Sequence, residues 1–268
     1  MTVSPLEPVP TRRPSPWTWQ AAVLVATVLL GWEFVIRLGW YRGIFLPAPS
    51  AIVRALGAAL VDGTMTPHLM ATLGRVGGGL AAGATLGLVL GFAMGRSSLL
   101  RATLDPLVAA AHPIPKLALL PLFIVLLGIG ETPKVVVVAA AAFFPMLINT
   151  MAGVRQISPV YFDVARNYGA SSWQLVRRVL VPGSVPLVVT GFRLSANVAF
   201  LSAVAVEMVM AQTGLGSLLW MSWQVLRVEQ LYATLFVIAL IGSSLNATLN
   251  WAAWRTAPWL SDHHQAAG

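Results

Sequence analysis

The feature that most constrains this chain is a series of long apolar runs in which charge almost vanishes. Six stretches qualify: 18–38, 74–95, 106–129, 134–154, 186–210 and 231–253. Each is close to the about 20 residues that a helix needs to cross a bilayer. Only 10% of the residues are charged, against about 25% in a soluble domain, so there is too little charge to cover a water-facing surface. In lipid every backbone N–H and C=O must bond inside the protein, and a run of this length does so as a helix. The expected fold class is all-α integral membrane, with about six transmembrane helices.

The segments outside these runs set the expected boundaries. Residues 1–16 hold Pro5, Pro8, Pro10, Pro14 and Pro16, which rules out a regular helix and predicts a disordered tail. The first apolar run is followed by no small-residue cleavage site, so it reads as a retained span rather than a signal peptide. The membrane domain is expected over 17–256, with 257–268 as a C-terminal tail. The net charge is +8, yet the bases lie in short stretches between apolar runs. That pattern is membrane topology and not a nucleic-acid footprint. With the N-terminus inside, nine bases fall on inner stretches (Arg12, Arg13, Arg96, Arg101, Arg155, Arg166, Arg177, Arg178, Arg255) and six on outer ones (Arg37, Arg42, Arg54, Arg75, Lys134, Arg227). Both termini are therefore expected in the cytoplasm. Trp17, Trp19, Trp40, Tyr41, Trp251, Trp254 and Trp259 sit at the expected membrane edges, where amphipathic rings are favoured. The chain has no cysteine, and two of its four histidines, His263 and His264, are in the tail. No catalytic residue, metal site or cofactor-binding motif is expected.

Three features inside the spans carry information. Gly79, Gly83, Gly87, Gly91 and Gly95 repeat every four residues, a stripe that lets another helix approach closely. The third run contains His112-Pro113-Ile114-Pro115-Lys116. It must be broken there, since proline removes a donor and clashes with the preceding turn. The break lies either near the inner interface or along a cavity. Glu33 and Arg37 stand four apart, as an ion pair on one helix does.

The longest polar stretch, 155–185, predicts two short helices around a sharp corner. Ser158-Pro159 opens the first, and Gly169 supplies its left-handed C-cap. Ser171 with Gln174 forms a capping-box pattern for the second, and Pro182-Gly183 is expected to stop it. By pattern alone the pair suits either an interfacial amphipathic element or a docking surface.

Here a resemblance enters. Asp163-Val164-Ala165, Gly169, Val179 and Val181-Pro182 keep the spacing of the loop signature of binding-protein-dependent ABC importer permeases. That signature is Glu-Ala-Ala, three residues, Gly, nine residues, Ile, one residue, Leu-Pro. This chain replaces its Glu by Asp163, its second residue by Val164, its Ile by Val179 and its Leu by Val181. Pro113 to Phe123 with Gly128 resembles the third span of the sulfonate/nitrate/taurine group. Leu46 to Ser50, Thr72 with Arg75, Phe144-Pro145, Ala205 to Met208 and Gly214-Leu215-Gly216 also resemble that group. The order of these motifs extends over roughly residues 45–255.

The resemblance implies a permease subunit that does not hydrolyse ATP and so is no enzyme itself. It implies pairing with a second permease copy, cytoplasmic ABC ATPase subunits below and an extracytoplasmic solute-binding protein above, in a bacterial inner membrane. It implies a coupling helix between spans four and five, with Asp163, Val164, Ala165, Gly169, Ala170 and Pro182 shaping the ATPase contact. It suggests a small polar or anionic solute: a sulfonate, taurine, nitrate or a vitamin precursor. Candidates for the translocation pathway come from the residues themselves. Glu207 is an acid inside an apolar run, which costs about 2.5–3.5 kcal/mol at mid-membrane and is functional by default; alternatively it pairs with a buried base or sits near the outer mouth. Arg193 and Asn197 are four apart on the same span, with Arg193 within reach of headgroups. Asn149 serves as a ligand or as glue between helices. An ion-coupled secondary transporter is the main rival and would carry coupling charges in several spans. A vitamin importer scaffold with Ala-Arg-Gly helices is disfavoured, because Asn167 follows Arg166.

Overall fold

A computed structural model describes residues 17–39 and 45–256, and their elements are all helical. The expected tails 1–16 and 257–268, and Trp40, Tyr41 and Arg42, lie outside the described residues. The elements run α1 Trp17–Arg37, α2 Pro49–Val61, α3 Met65–Arg96, α4 Ser98–Ala111, α5 Leu120–Leu127, α6 Glu131–Arg155, α7 Pro159–Asn167, α8 Ser172–Leu175, α9 Val181–Met210, α10 Leu215–Gln224 and α11 Val228–Thr256. Five stretches are long and apolar enough to cross a membrane, and the bent pair α4–α5 makes a sixth. The protein is an all-α membrane protein of about six spans.

Its centre is the packing of α3 on α6 and of α6 on α9. The glycine stripe of α3 makes the first contact. A Cβ at Gly83 would collide with the backbone carbonyl of Ala139. At Gly87 it would lie 2.5 Å from Phe143 O, and at Gly91 2.7 Å from Leu147 O. The absent side chains thus let the two backbones touch, which in lipid replaces the missing hydrophobic drive between helices. Val76, Val138, Ala142, Ala199, Phe200 and Ala203 fill the space beside this contact. Ser195 of α9 adds a buried hydrogen bond to Ala142 O, 2.7 Å. At the periphery, α1 leaves Val23, Leu24, Val25, Val28, Leu30 and Phe34 exposed, while Trp32 packs edge-on against Tyr232 of α11. Glu33 of α1 accepts from Arg37 at 2.6 Å and from the Ser50 hydroxyl at 2.8 Å, so the expected ion pair also ties α1 to α2.

The third span breaks where expected. The axes on either side of residues 112–115 meet at 91°. Lys116 donates from Nζ to the carbonyls of Ala111, His112 and Ile114 at 2.8, 2.9 and 2.8 Å. The same ammonium lies 4.2 Å from the centroid of the Phe144 ring. One side chain thereby bonds three carbonyls at the break in the helix.

Several boundaries differ from expectation, the third span among them, which begins with α4 at Ser98 rather than 106. α3 begins at Met65 rather than 74, because its polar first turns reach beyond the apolar run. More consequentially, Pro182-Gly183 does not stop the second short helix. Residues 172–210 form one continuous helical stretch, because Val176–Leu180 is π-helical. The Val181 N–H bonds to Val176 O, five residues back. The hydrogen-bond frame has slipped by one before Pro182 arrives, and a π-helical turn of this kind sits inside a helix without ending it. Gly183 is there for closeness: a Cβ would lie 2.9 Å from Ile157 Cδ1.

Candidate functional site

The two ends of the bundle are chemically different. At one end α3 and α6 finish in Arg96 and Arg155, and the chain turns through α7 and α8 between α6 and α9. Gly169 has φ +73°, the left-handed conformation that a residue with a Cβ resists. The Ala170 N–H bonds to Ala165 O at 3.0 Å and the Gly169 N–H to Arg166 O at 2.9 Å. Together these form a Schellman motif that ends α7. Two residues on, Ser171 caps α8: the Gln174 N–H donates to its Oγ at 3.3 Å, and its own N–H donates to Gln174 Oε1 at 2.8 Å. The expected capping box and C-cap glycine are both present, and they set the corner rigidly.

This corner points outward. Asp163, Val164, Gly169 and Pro182 are exposed, and Ala165 and Ala170 half-buried. Around them stand the exposed apolar and aromatic side chains Val160, Tyr161, Tyr168 and Trp173. Asp163 stands 3.9 Å from Arg166, with both side chains largely exposed, so the pair holds little energy. Asp163, Val164, Gly169 and Pro182 are thus exposed at the same end of the chain's fold as the large side chains Val160, Tyr161, Tyr168 and Trp173.

The other end carries a buried ion network. Arg75 of α3 donates from Nε to Glu131 Oε2 (2.6 Å), from Nη1 to Glu207 Oε1 (2.8 Å) and Thr213 O (2.6 Å), and from Nη2 to Glu131 Oε1 (3.0 Å) and Thr213 Oγ1 (3.2 Å). All five guanidinium donors are taken. Glu207, with no exposed surface, accepts in addition from the Thr72 hydroxyl at 2.9 Å and the Gly216 N–H at 3.0 Å. The latter sits in the first turn of α10, where a carboxylate is favoured by the helix dipole. Lys134 Nζ donates to Glu131 Oε1 at 2.8 Å. The network joins α3, α6, α9 and α10. Gly214, φ +126°, makes room for it, since a Cβ there would collide with the Glu207 carboxylate.

The four pathway candidates are not brought together; no hydrogen bond or ion pair joins any two of them among the described residues. Glu207 has found a buried base, Arg75. Asn149 donates to Pro145 O, 2.8 Å, one turn back on α6. Asn197 donates to Asn246 Oδ1, 3.0 Å, linking α9 to α11. Arg193 is half-buried on α9. Sequence reasoning placed Arg75 at an outer helix end and overlooked Glu131 and Thr213. The available signal was Glu207: an acid in an apolar run demands a base, and Arg75 is the base inside another run.

Residues 83–261 match the family described as "Binding-protein-dependent transport system inner membrane component". The chain is 32% identical to the taurine transport system permease protein TauC of Escherichia coli, over 91% of this chain and 93% of that one. It is also 32% identical to the riboflavin transport system permease protein RibX of Chloroflexus aurantiacus, over 85% and 86%. In fold it is similar to the inward-facing MetNI methionine ABC transporter, with TM-score 0.56 at 19% identity over 76% of this chain and 95% of that one. It is similar also to an amino acid ABC transporter crystallised with histidines, with TM-score 0.62 at 17% identity over 74% and 97%. The fold, the matched residues and the relatives agree: this chain belongs to the family of binding-protein-dependent transport system inner membrane components, the permease subunits of ABC importers.

Proposed function

We propose that this chain carries a small polar or anionic solute of the sulfonate or taurine type across the inner membrane, and that it is driven by a cytoplasmic ABC ATPase docking on the α7–α8 corner. An extracytoplasmic binding protein delivers the solute to the opposite end, and a second permease copy completes the pathway. The termini and α7 lie in the cytoplasm. The observation that carries this reading is the corner itself. A capped, rigid turn exposes Val160, Tyr161, Val164, Tyr168 and Trp173 beside the signature positions Asp163, Ala165 and Gly169. A short helix fixed to α9 without a break transmits a rigid-body push into the membrane. The identity to TauC supports the solute class.

Of the pathway candidates, Arg193 suits an anion best. It is half-buried within a span and has no ion-pair partner among the described residues, so a bare guanidinium is available to an anion. Glu207, its acceptors filled by Arg75, Thr72 and Gly216, acts as a clamp for the outer end rather than as a solute ligand.

The test is reconstitution in proteoliposomes with the ATPase, measuring hydrolysis with and without binding protein loaded with taurine, other sulfonates, nitrate or vitamin precursors. One loaded binding protein is expected to stimulate hydrolysis and uptake. Gly169→Asp should insert normally and abolish the stimulation. Gly169→Asn, which meets the same φ of +73° without a charge, separates backbone strain from the added charge: it should keep more of the stimulation than Gly169→Asp. Arg193→Gln is expected to weaken uptake of the stimulating solute. Uptake that follows an ion gradient without any ATPase would instead establish a secondary transporter.

A further inference from the structure

The α7 end holds a cavity that shares only Asp163 with the signature positions of the docking corner. It has a volume of about 420 Å³ and lies behind α7, on the side facing the membrane helices. Its polar wall is Arg96 from the end of α3, Arg101 from α4, Arg155 from the end of α6, and Arg166 with Asp163 from α7. Asp163 is within ion-pair distance of Arg166 alone among the described residues. Arg96, Arg101 and Arg155 have no ion pair among the described residues, so the cavity carries an excess of three positive charges. Its remaining wall is apolar, with Val176 and Leu180 prominent.

Immediately beside it runs a second cavity of about 330 Å³, lined by Phe92, Ala93, Arg96, Val176, Leu180 and Val181. Arg96, Val176 and Leu180 belong to both. The second cavity has Arg96 as its one charged wall residue and otherwise extends along the apolar side of α3 and the π-helical segment. Arg96 and Arg155 end helices of 32 and 25 residues, both long enough to place their last turn at the headgroup layer of a bilayer whose core is about 30 Å thick. A basic chamber at headgroup height that opens onto an apolar groove matches the two halves of one class of molecule.

We propose that this pair of cavities binds an anionic phospholipid, its phosphate among Arg96, Arg101 and Arg155 and one acyl chain in the groove between α3 and the π-helical segment. Guanidinium groups bind phosphate oxygens in forked, charge-assisted pairs, and basic pockets beside membrane helices take anionic headgroups. The lipid fills the space between α7 and the membrane helices and so supports the corner from behind. The site depends neither on the solute nor on which leaflet the α7 end faces.

The test uses the full chain purified in detergent, delipidated and titrated with phosphatidylglycerol or phosphatidylcholine of identical acyl chains, with bound lipid counted by native mass spectrometry. Phosphatidylglycerol is expected to be retained in preference to phosphatidylcholine. The preference should fall by about tenfold or more in Arg96→Gln/Arg155→Gln and survive in Arg177→Gln/Arg178→Gln, whose arginines lie outside the cavity. Ala93→Trp, which fills the groove and leaves every arginine in place, should also lose phosphatidylglycerol. Equal retention of the two lipids overturns the proposal, and so does equal loss in the two arginine pairs, which marks diffuse surface charge. Full competition by glycerol phosphate together with an undisturbed Ala93→Trp variant marks a soluble-anion site and overturns it too. Displacement of the lipid when the ATPase is added shows that the chamber receives an acidic protein surface, and this outcome also counts against the lipid. A variant that fails to fold is recognised by its elution volume; Arg96→Lys/Arg155→Lys then replaces it and should keep the preference.

Discussion

Arg75 and Glu207 lie where lipid would surround them if the chain were unfolded into separate spans, yet each has every polar bond met by protein. The pair joins a base on one span to an acid on another, 132 residues apart in sequence. Breaking such a pair strands a buried charge, whereas replacing both partners by apolar residues does not. Arg75→Leu is therefore expected to destabilise the protein by about 3–5 kcal/mol, and the double variant Arg75→Leu/Glu207→Leu by less than Arg75→Leu alone. Denaturation midpoints in mixed micelles of increasing SDS content measure both. A double variant as unstable as the sum of the singles would show the two residues to be uncoupled. Glu131 is the contrasting case: its side chain is 60% exposed, so Glu131→Gln should cost only about 0–1 kcal/mol.

At the scale of elements, α3 shows how helices associate when lipid supplies no hydrophobic drive. Its glycines divide into two sets. Gly79, Gly83, Gly87, Gly91 and Gly95 abut α6, while an added Cβ at Gly74 or Gly77 meets nothing within 4 Å. Gly83→Val should push α3 off α6 and reduce the yield of correctly folded protein, and Gly77→Ala should leave it unchanged. Size-exclusion profiles of the two variants decide the point; similar profiles would mean that the stripe is not the contact. The stripe was legible in the sequence because a four-residue repeat has no use other than one face of a helix. The course of residues 172–210 was not. Pro182-Gly183 reads as a stop when each residue is judged by its propensity, but a one-residue slip in the hydrogen-bond frame at Val176–Leu180 removes the conflict. That slip is a property of the packed helix and leaves no local sequence mark. The broken third span divides in the same way. The prolines announced the break, and only the fold showed that Lys116 closes it.

Over the whole molecule, the two ends are built for different tasks. One is locked by a buried ion network across four helices, and the other presents an arginine-lined chamber behind an exposed, capped corner. The proposed orientation puts the corner inside the cell. The chain has no cysteine of its own, so single introduced thiols report cleanly. Asn167→Cys, on α7, should react with a membrane-impermeant maleimide only in inverted vesicles, and Asp62→Cys, in the turn between α2 and α3, only in intact cells. The reverse pattern would place α7 outside and end the ATPase-docking reading.

The sequence by itself determined that the chain lives in a membrane, roughly where it crosses, where its third span breaks and where the α7 corner turns. Each of these follows from local rules: the length of apolar runs, the chemistry of proline and glycine, and the spacing of capping residues. Tertiary structure alone decided which base meets Glu207, that Arg75 serves the interior rather than the membrane edge, that residues 172–210 form one continuous stretch, and that arginines from four separate elements share one chamber. These depend on which helices become neighbours. Helix adjacency in lipid is set by shape at close contact, a property of two surfaces together that neither segment's sequence states alone.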